Sequence, residues 1–241
     1  MSEQKNNPII IAHRGFSAKY IENSFESYDE AIKAGADTVE CDIRSCKSGE
    51  LVLMHDKTTD RTCKVDGKIS TLTLDEIKKI PLRNNQEIPT LLEFLGKYRG
   101  KVKMMWDVKT PIAAKELVSL IRKYKLHNDV FISSEITTLL IDILIRDPEI
   151  ETAISFAPKK YLKYLFFKKL FILPARLVGA NRVTIHYKVV NQKMIERAHK
   201  NGLKILVFPV DHEKDIKRLA NQDVDAIITD NTQLVKKILE S

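Results

Sequence analysis

The sequence predicts an α/β fold, a (β/α)8 TIM barrel with a small insertion after the second barrel strand, in one domain over residues 1–241. Short apolar runs alternate with stretches of helical period, and eight of those runs can be parallel strands. The chain length also fits, because α/β barrels of about 200–250 residues form single domains. The alternative is an open doubly wound sheet, but the first strand is not followed by the Gly-rich phosphate loop typical of that fold.

The predicted barrel strands are 8–12, 37–43, 102–108, 130–133, 152–156, 182–186, 203–208 and 226–229. The predicted helices between them are 23–34, 111–125, 137–146, 192–201, 213–220 and 232–239. The apolar run 51–54 follows the second strand too closely for a parallel crossover, which needs about a dozen residues. We therefore expect it to return as a hairpin. Residues 56–90 form the predicted insertion, with a helix over 74–80 and another beginning at Pro89–Thr90.

Composition narrows the classes of protein and partner. The net charge is +8, and residues 152–195 hold nine Lys and Arg but no Asp or Glu, so the rest of the chain is close to neutral. A basic excess suits an anionic partner, but without a nucleic-acid recognition module we expect no nucleic acid. No apolar run reaches the ~18–20 residues of a membrane span, and the first residues lack a signal peptide's apolar core. Cys41, Cys46 and Cys63 lack metal-site spacing, so a reduced, cytoplasmic protein is expected.

Three carboxylates lie at the ends of neighbouring predicted strands, where TIM barrels carry their chemistry. Glu40 and Asp42 are two apart on the second strand and face the same way, and Asp107 ends the third. Buried like charges are costly unless a cation binds them, and an oxygen-rich site favours Mg²⁺ or Ca²⁺. The alternative is a carboxylate pair held by Arg44 and Lys109.

Two histidines and two cations also fall at strand ends. His13 and His55 could divide the roles of base and acid, or could be structural. Arg14 and Lys109 could bind a phosphate, or could form ion pairs with the nearby carboxylates.

Four short motifs in this order resemble the glycerophosphodiester phosphodiesterase family, which shows HRG, ENT, ExD and HD at about this spacing. Here they read His13-Arg14-Gly15, Glu22-Asn23-Ser24, Glu40-Cys41-Asp42 and His55-Asp56. A further match is the ending Val224-Asp225-Ala226-Ile227-Ile228-Thr229-Asp230. The resemblance covers nearly the whole chain, with a gap at about residues 157–180.

The resemblance implies a barrel with a small insertion and a divalent metal held by Glu40 and Asp42. The family's third ligand is usually the Glu of an ExK motif, where this chain has Asp107-Val108-Lys109. Phe208-Pro209 stands where the family usually has Trp-Thr, which bears on substrate identity more than on catalysis.

The implied reaction converts glycerophosphodiesters to glycerol 3-phosphate and an alcohol. Arg14 and Lys109 would bind the diester, with one of His13 and His55 as base and the other as acid. Asp56 is expected to orient His55 or brace its loop, and Asn23 to brace the loop after His13. A cyclic phosphate intermediate and direct attack by water both remain open.

Two other functions are weighed beside this one. The first is lysophospholipase D activity on a lysolipid at a membrane surface. Residues 159–174 would make the peripheral membrane contact. This segment could equally be an ordinary helix that packs on the barrel. The second is a barrel that binds anions without catalysis. The alcohol head group and the oligomeric state are left open.

Overall fold

The structure is a computed structural model, and it describes residues 7–156 and 171–241. Its strands are β1 Ile9–Ala12, β2 Thr38–Ser45, β3 Leu51–Leu53, β4 Lys103–Val108, β5 Val130–Ser134, β6 Thr152–Ser155, β7 Arg182–His186, β8 Lys204–Phe208 and β9 Ala226–Thr229. Each overlaps a strand predicted from the sequence.

Eight of these strands close into a parallel barrel. The order runs β1-β9-β8-β7-β6-β5-β4-β2, and β1 pairs with β2 to complete the circle. At the closure Ile11 lies opposite Thr38 on one side and Ile228 on the other. Full closure leaves no unpaired edge among the parallel strands, and it confirms the predicted TIM barrel.

The helices cover Phe25–Lys33, Leu74–Ile77, Leu91–Tyr98, Ala114–Tyr124, Thr137–Arg146, Ile172–Val178, Gln192–Lys200, Glu213–Asn221 and Thr232–Leu239. The predicted helix 74–80 is shorter than expected and ends at Ile77. Its continuation is disfavoured because a residue before proline, here Ile80 before Pro81, avoids the α conformation. Helix Ile172–Val178 is not among the predicted helices, although its first residues overlap the segment 159–174, for which an ordinary helix was one alternative.

The strand β3 returns antiparallel to β2, with Ile43 opposite Leu53, as the short connection predicted. The insertion that follows packs on this hairpin around a small apolar core of its own. That core consists of Cys46, Val52, Met54, Cys63, Ile69, Ile77, Ile80, Leu82 and Ile88. The insertion is therefore fixed to the barrel beside the carboxyl end of β2.

The chain returns from the insertion to the barrel at a capped helix start. Thr90 accepts a hydrogen bond from Glu93 N at 3.1 Å, and Glu93 accepts one from Thr90 N at 2.8 Å. This reciprocal capping satisfies two backbone donors at the beginning of Leu91–Tyr98. No helix in residues 7–156 or 171–241 is long and apolar enough to cross a membrane. The expected membrane-contact segment 159–174 lies largely outside the described residues.

Candidate active site

The three predicted carboxylates meet at the carboxyl end of the barrel. Glu40 and Asp42 on β2 are each 1% exposed, and the strand register places Asp42 directly beside Asp107 on β4. One carboxylate oxygen from each residue lies within 4.8 Å of the other two. Three acids this close, two of them buried and Asp107 half-buried, repel one another unless cations surround them.

Two cations contact this cluster. Lys109 Nζ lies 2.5 Å from Asp107 Oδ2 and 3.2 Å from Asp42 Oδ1, and Arg14 Nε lies 3.1 Å from Asp42 Oδ2. Glu40 Oε2 accepts a hydrogen bond from the backbone N–H of Arg14 at 2.8 Å. Two cations face three acids, so the cluster has room for further positive charge.

The alternative pairing of these carboxylates with Arg44 is wrong. Arg44 instead donates two hydrogen bonds to the backbone oxygen of His55, at 2.9 and 2.6 Å. The guanidinium lies on the insertion side of β2, where the carbonyl of the hairpin is within reach. Lys109 alone of the two predicted partners binds the acids.

The pKa values follow from this arrangement. Burial and the charges of Asp42 and Asp107 raise the pKa of Glu40 well above its usual range. Burial acts in the same sense on Asp42, but Lys109 and Arg14 outweigh it and hold the pKa of Asp42 well below its usual range. Burial opposes the charge of Lys109, yet Asp107 and Asp42 raise its pKa well above the ordinary value.

The cluster also offers carboxylate oxygens to a divalent cation. Among the described residues, Asp42 Oδ1 and Asp107 Oδ1 are buried and accept no hydrogen bond of good geometry, although Lys109 Nζ lies 3.2 Å from Asp42 Oδ1. Buried polar atoms normally have such a partner. A hard cation coordinated by carboxylate oxygens would supply it, so the donor set suits Mg²⁺ or Ca²⁺ better than a thiolate- or imidazole-seeking metal.

His13 directly follows β1 and is fixed by the last strand of the barrel. Its backbone N–H donates to Thr229 O at 2.8 Å, and its Nδ1 lies 2.6 Å from Asp230 Oδ1. Ser17 Oγ donates to the same carboxylate oxygen, and Asp211 accepts from the backbone of Asp230, each at 2.8 Å. With Nδ1 engaged, Nε2 is the nitrogen left for proton transfer.

Burial favours protonation of Asp230, but the hydrogen bond and charge of His13 outweigh it and lower the pKa of that carboxyl. The carboxylate is therefore ionised at neutral pH. It fixes the orientation of the imidazole ring and stabilises the ring when protonated.

His55 follows β3 and has a matching carboxylate. Its Nδ1 lies 2.8 Å from Asp56 Oδ1, and Arg61 Nε donates to Asp56 Oδ2 at 2.5 Å. Arg61 also binds Glu22 through two bonds of 2.6 and 2.7 Å, and Glu22 accepts from Arg14 at 3.0 Å. Burial opposes ionisation, yet these partners lower the pKa of both Asp56 and Glu22. The network thus joins both halves of the site.

The loop after His13 depends on its glycine. Gly15 has φ +85°, and a Cβ there would lie 2.6 Å from the backbone carbon of Ser27. Only glycine fits such a conformation and such a close approach.

The predicted brace, Asn23, donates to Asp42 Oδ2 at 3.0 Å and accepts from Asp42 N at 3.1 Å. It therefore ties the loop to the acidic cluster.

These groups surround a cavity of about 260 Å³. Six of the seven predicted site residues line it, and the seventh, Asp42, lies beneath them against Arg14 and Lys109. The remaining walls come from Met105, Glu135, Ser155, Thr184, Phe208, Pro209 and Ile228. The barrel thus brings together residues predicted from four separate stretches of sequence.

Sequence reasoning assigned no role to Asp230, Ser17 or Arg61. The signal for Asp230 was available, because it directly follows β9 and so occupies a strand end like the other site residues. No local pattern indicates the bonds of Ser17 to Asp230 and of Arg61 to Glu22, since these partners are distant in sequence.

The chain matches the family model described as the "Glycerophosphoryl diester phosphodiesterase family" over residues 13–234. The chain belongs to this family. It is 28% identical over 238 residues to a glycerophosphodiester phosphodiesterase of Caldanaerobacter subterraneus, covering 93% of this chain and 95% of that one. It is 26% identical over 255 residues to a glycerophosphodiester phosphodiesterase of Bacillus subtilis, covering 95% and 86%.

Solved structures share the fold. A glycerophosphodiester phosphodiesterase from Agrobacterium tumefaciens has a TM-score of 0.84 at 25% identity, covering 95% of this chain and 99% of that chain. An Oleispira antarctica phosphodiesterase, solved in complex with the product sn-glycerol-3-phosphate, has a TM-score of 0.85 at 23% identity, covering 98% of both chains. Membership of the family of glycerophosphodiester phosphodiesterases confirms the predicted resemblance and the predicted class of enzyme.

The other histidine and acid clusters of this phosphodiesterase lie away from the cavity. His127, Asp147 and Glu149 form a second group of possible ligands, but Asp147 Oδ2 is 2.6 Å from Arg122 Nε and is already neutralised. His199 lies 2.8 Å from Asp225 at the opposite end of β9 from Asp230. His127 and His199 are thus each bound to an acid away from the cavity, which fits a structural role.

Proposed function

We propose that this protein hydrolyses glycerophosphodiesters to glycerol 3-phosphate and an alcohol, with a divalent cation and two histidines at the carboxyl end of the barrel. The observation that carries the proposal is the shared cavity. Two histidines, each with Nδ1 against a carboxylate, line it together with two members of the three-carboxylate cluster. Family membership and the relatives named above supply the substrate class.

Glu40, Asp42 and Asp107 would hold the cation, either Mg²⁺ or Ca²⁺. When bound, it would polarise the phosphoryl oxygens and offset their charge. Asp107 is one methylene shorter than the Glu usual at this position. The register pairing with Asp42 already places its carboxylate beside the other two, which supports ligation by the shorter side chain.

Lys109 and Arg14 would orient the diester and stabilise its developing negative charge. Both line the cavity, and both are held in place by acids rather than free to move. Preorganised cations of this kind stabilise a transition state without rearranging as the charge develops. A diester bound beside them lies against the same cluster that would hold the cation.

His13 and His55 would exchange protons with the substrate through Nε2. One takes the proton of the attacking hydroxyl, from water or from the glycerol part, as that oxygen bonds to phosphorus. When the glycerol part attacks, the product is a cyclic phosphate, which water must then open to give glycerol 3-phosphate. The other gives a proton to the departing alcohol oxygen as its bond to phosphorus breaks. Asp230 and Asp56 stabilise whichever imidazole is protonated, because each accepts from Nδ1.

The direct test compares two substrates with the purified protein. We expect release of glycerol 3-phosphate from glycerophosphocholine, loss of that activity after EDTA treatment, and recovery with added Mg²⁺ or Ca²⁺. Lysophosphatidylcholine is the parallel substrate. Turnover of lysophosphatidylcholine without turnover of glycerophosphocholine would replace this proposal with lysophospholipase D activity, and turnover of neither would refute it.

A further inference from the structure

A second cavity of about 300 Å³ adjoins the active site between the barrel and the insertion. We call it the basic cavity, because four cations line it: Arg44, Lys57, Lys68 and Lys109. The other described lining residues are Ile69 and three with hydroxyl groups, and no carboxylate is among them. Cations with hydroxyl donors and no acid are the lining that a phosphate or carboxylate requires.

Backbone pairing within the insertion forms one wall. The N–H of Ile69 donates to Lys57 O at 3.0 Å, and Thr58 pairs with Lys68 in an antiparallel bridge. Lys57 and Lys68 are thereby held on two adjacent backbone segments at the edge of the cavity. The arrangement is built by hydrogen bonds and does not depend on the lysine side chains themselves.

The charge of this wall is not neutralised by the protein. Within residues 7–156 and 171–241, neither Lys57 nor Lys68 forms an ion pair with any carboxylate, and both side chains are exposed. Two lysines without carboxylate partners at one cavity add to its positive charge, and this charge favours an anion bound there.

The opposite wall belongs to the active site. Lys109 lines both cavities, and Arg44 is fixed by its two hydrogen bonds to His55 O. A phosphodiester bound at Lys109 can therefore extend one substituent into the active-site cavity and the other toward the basic cavity. The glycerol substituent is uncharged and gains nothing from extra cations, which leaves the alcohol as the group that would use them.

We propose that the basic cavity binds a second anionic group, a phosphate monoester or a carboxylate, carried by the alcohol that leaves. This inference rests on the proposed phosphodiesterase function and names its preferred substrates: diesters whose alcohol is itself anionic. Lys57 and Lys68 are the residues that determine this specificity, and they take no part in the chemical step.

The test uses two substrates that differ only in that group. One is glycerophosphoglycerol, and the other carries an additional phosphate on the far primary hydroxyl. The variant is K57Q/K68Q, and the control is K79Q/K101Q, which removes the same charge from two exposed lysines outside the cavity. We expect K57Q/K68Q to lower kcat/KM for the phosphorylated diester about tenfold or more, chiefly through KM. The plain diester and the control variant should change less than about twofold.

Three results would overturn the proposal. The first is an equal loss on both substrates in K57Q/K68Q, and the second is no loss on either. The third is loss of binding to phosphatidylglycerol vesicles while both soluble diesters are turned over normally, which would make the lysines a membrane contact. Failure of the proposed function is distinguishable, because the wild-type protein would then turn over neither diester.

Discussion

Nδ1 of His13 lies 2.6 Å from Oδ1 of Asp230, although the two residues are 217 positions apart in the chain. They meet because β1 and β9 are neighbours in the closed barrel, with Ala12 opposite Thr229. Each of the two residues comes directly after its strand. The first and last strands of the chain thus assemble one of the two His–Asp pairs to which we assign proton transfer, and His55 with Asp56 forms the other.

Replacing Asp230 tests whether it positions His13. We expect Asp230→Asn to lower kcat about 10²–10⁴-fold with little change in KM, because the ring loses the acceptor that fixes its tautomer. The pH profile of kcat should shift as well. The control is Asp225→Asn, which removes the carboxylate partner of His199 away from the cavity. An unchanged pH profile in Asp230→Asn would exclude the positioning role.

Loss of either histidine should abolish most activity without unfolding the protein. We expect His13→Ala and His55→Ala each to lower kcat about 10²-fold or more, with an unchanged circular dichroism spectrum. His212→Ala is the control, because that residue lies before helix Glu213–Asn221 and makes no capping hydrogen bond through its side chain. Turnover close to wild type in either variant would remove that histidine from the acid–base pair.

The carboxylate cluster predicts a specific response to metal. Glu40→Gln should raise the Mg²⁺ or Ca²⁺ concentration for half-maximal activity about tenfold or more, and should reduce the thermal stabilisation that the cation gives. Asp107→Glu restores the residue usual in the family and should retain activity within about tenfold of wild type. Glu149→Gln, in the second acidic group, should change neither measurement. Equal EDTA sensitivity and equal metal affinity in Glu40→Gln and wild type would argue against Glu40 as a ligand.

Glu22 should contribute stability that depends on pH in a definite direction. Burial opposes its ionisation, but Arg61 and Arg14 lower its pKa below the ordinary 4.5. A lowered folded-state pKa gives stability that is present above about pH 4.5 and is lost as the pH falls through the folded-state value. We expect Glu22→Gln to lower the free energy of unfolding by about 2 kcal/mol at pH 7, and by progressively less below about pH 4.5.

Urea unfolding at several pH values measures this difference. Glu196→Gln, at an exposed residue of helix Gln192–Lys200, is the control and should stay within about 0.5 kcal/mol of wild type throughout. A difference for Glu22→Gln that is constant with pH would show that the ion pairs of Glu22 do not supply its stabilising effect.

Local pattern was sufficient for most of the architecture. Apolar runs bounded by turn residues located all nine strands of the part of the chain that the structure describes, and the length of the β2–β3 connection alone separated the hairpin return from the parallel strands. Two helices, Thr137–Arg146 and Thr232–Leu239, have the bounds that the sequence predicted. The shorter helix at Leu74–Ile77 differs because turn chemistry before Pro81 acts against a favourable helical pattern.

The sequence by itself determined the barrel, the hairpin, and the strands on which or after which the seven predicted site residues lie, because strand period and motif order depend on residues close together in the sequence. Only the tertiary structure decided which groups meet. Barrel closure brought Asp230 within hydrogen-bond distance of His13, and strand register placed Asp107 beside Asp42. Packing of the insertion placed Lys57 and Lys68 at a cavity that shares Lys109 with the active site, and it directed Arg44 to a carbonyl instead of an acid. Hydrogen bonds and charge pairs act over a few ångströms of space, so partners distant in sequence become predictable only once the fold has brought them together.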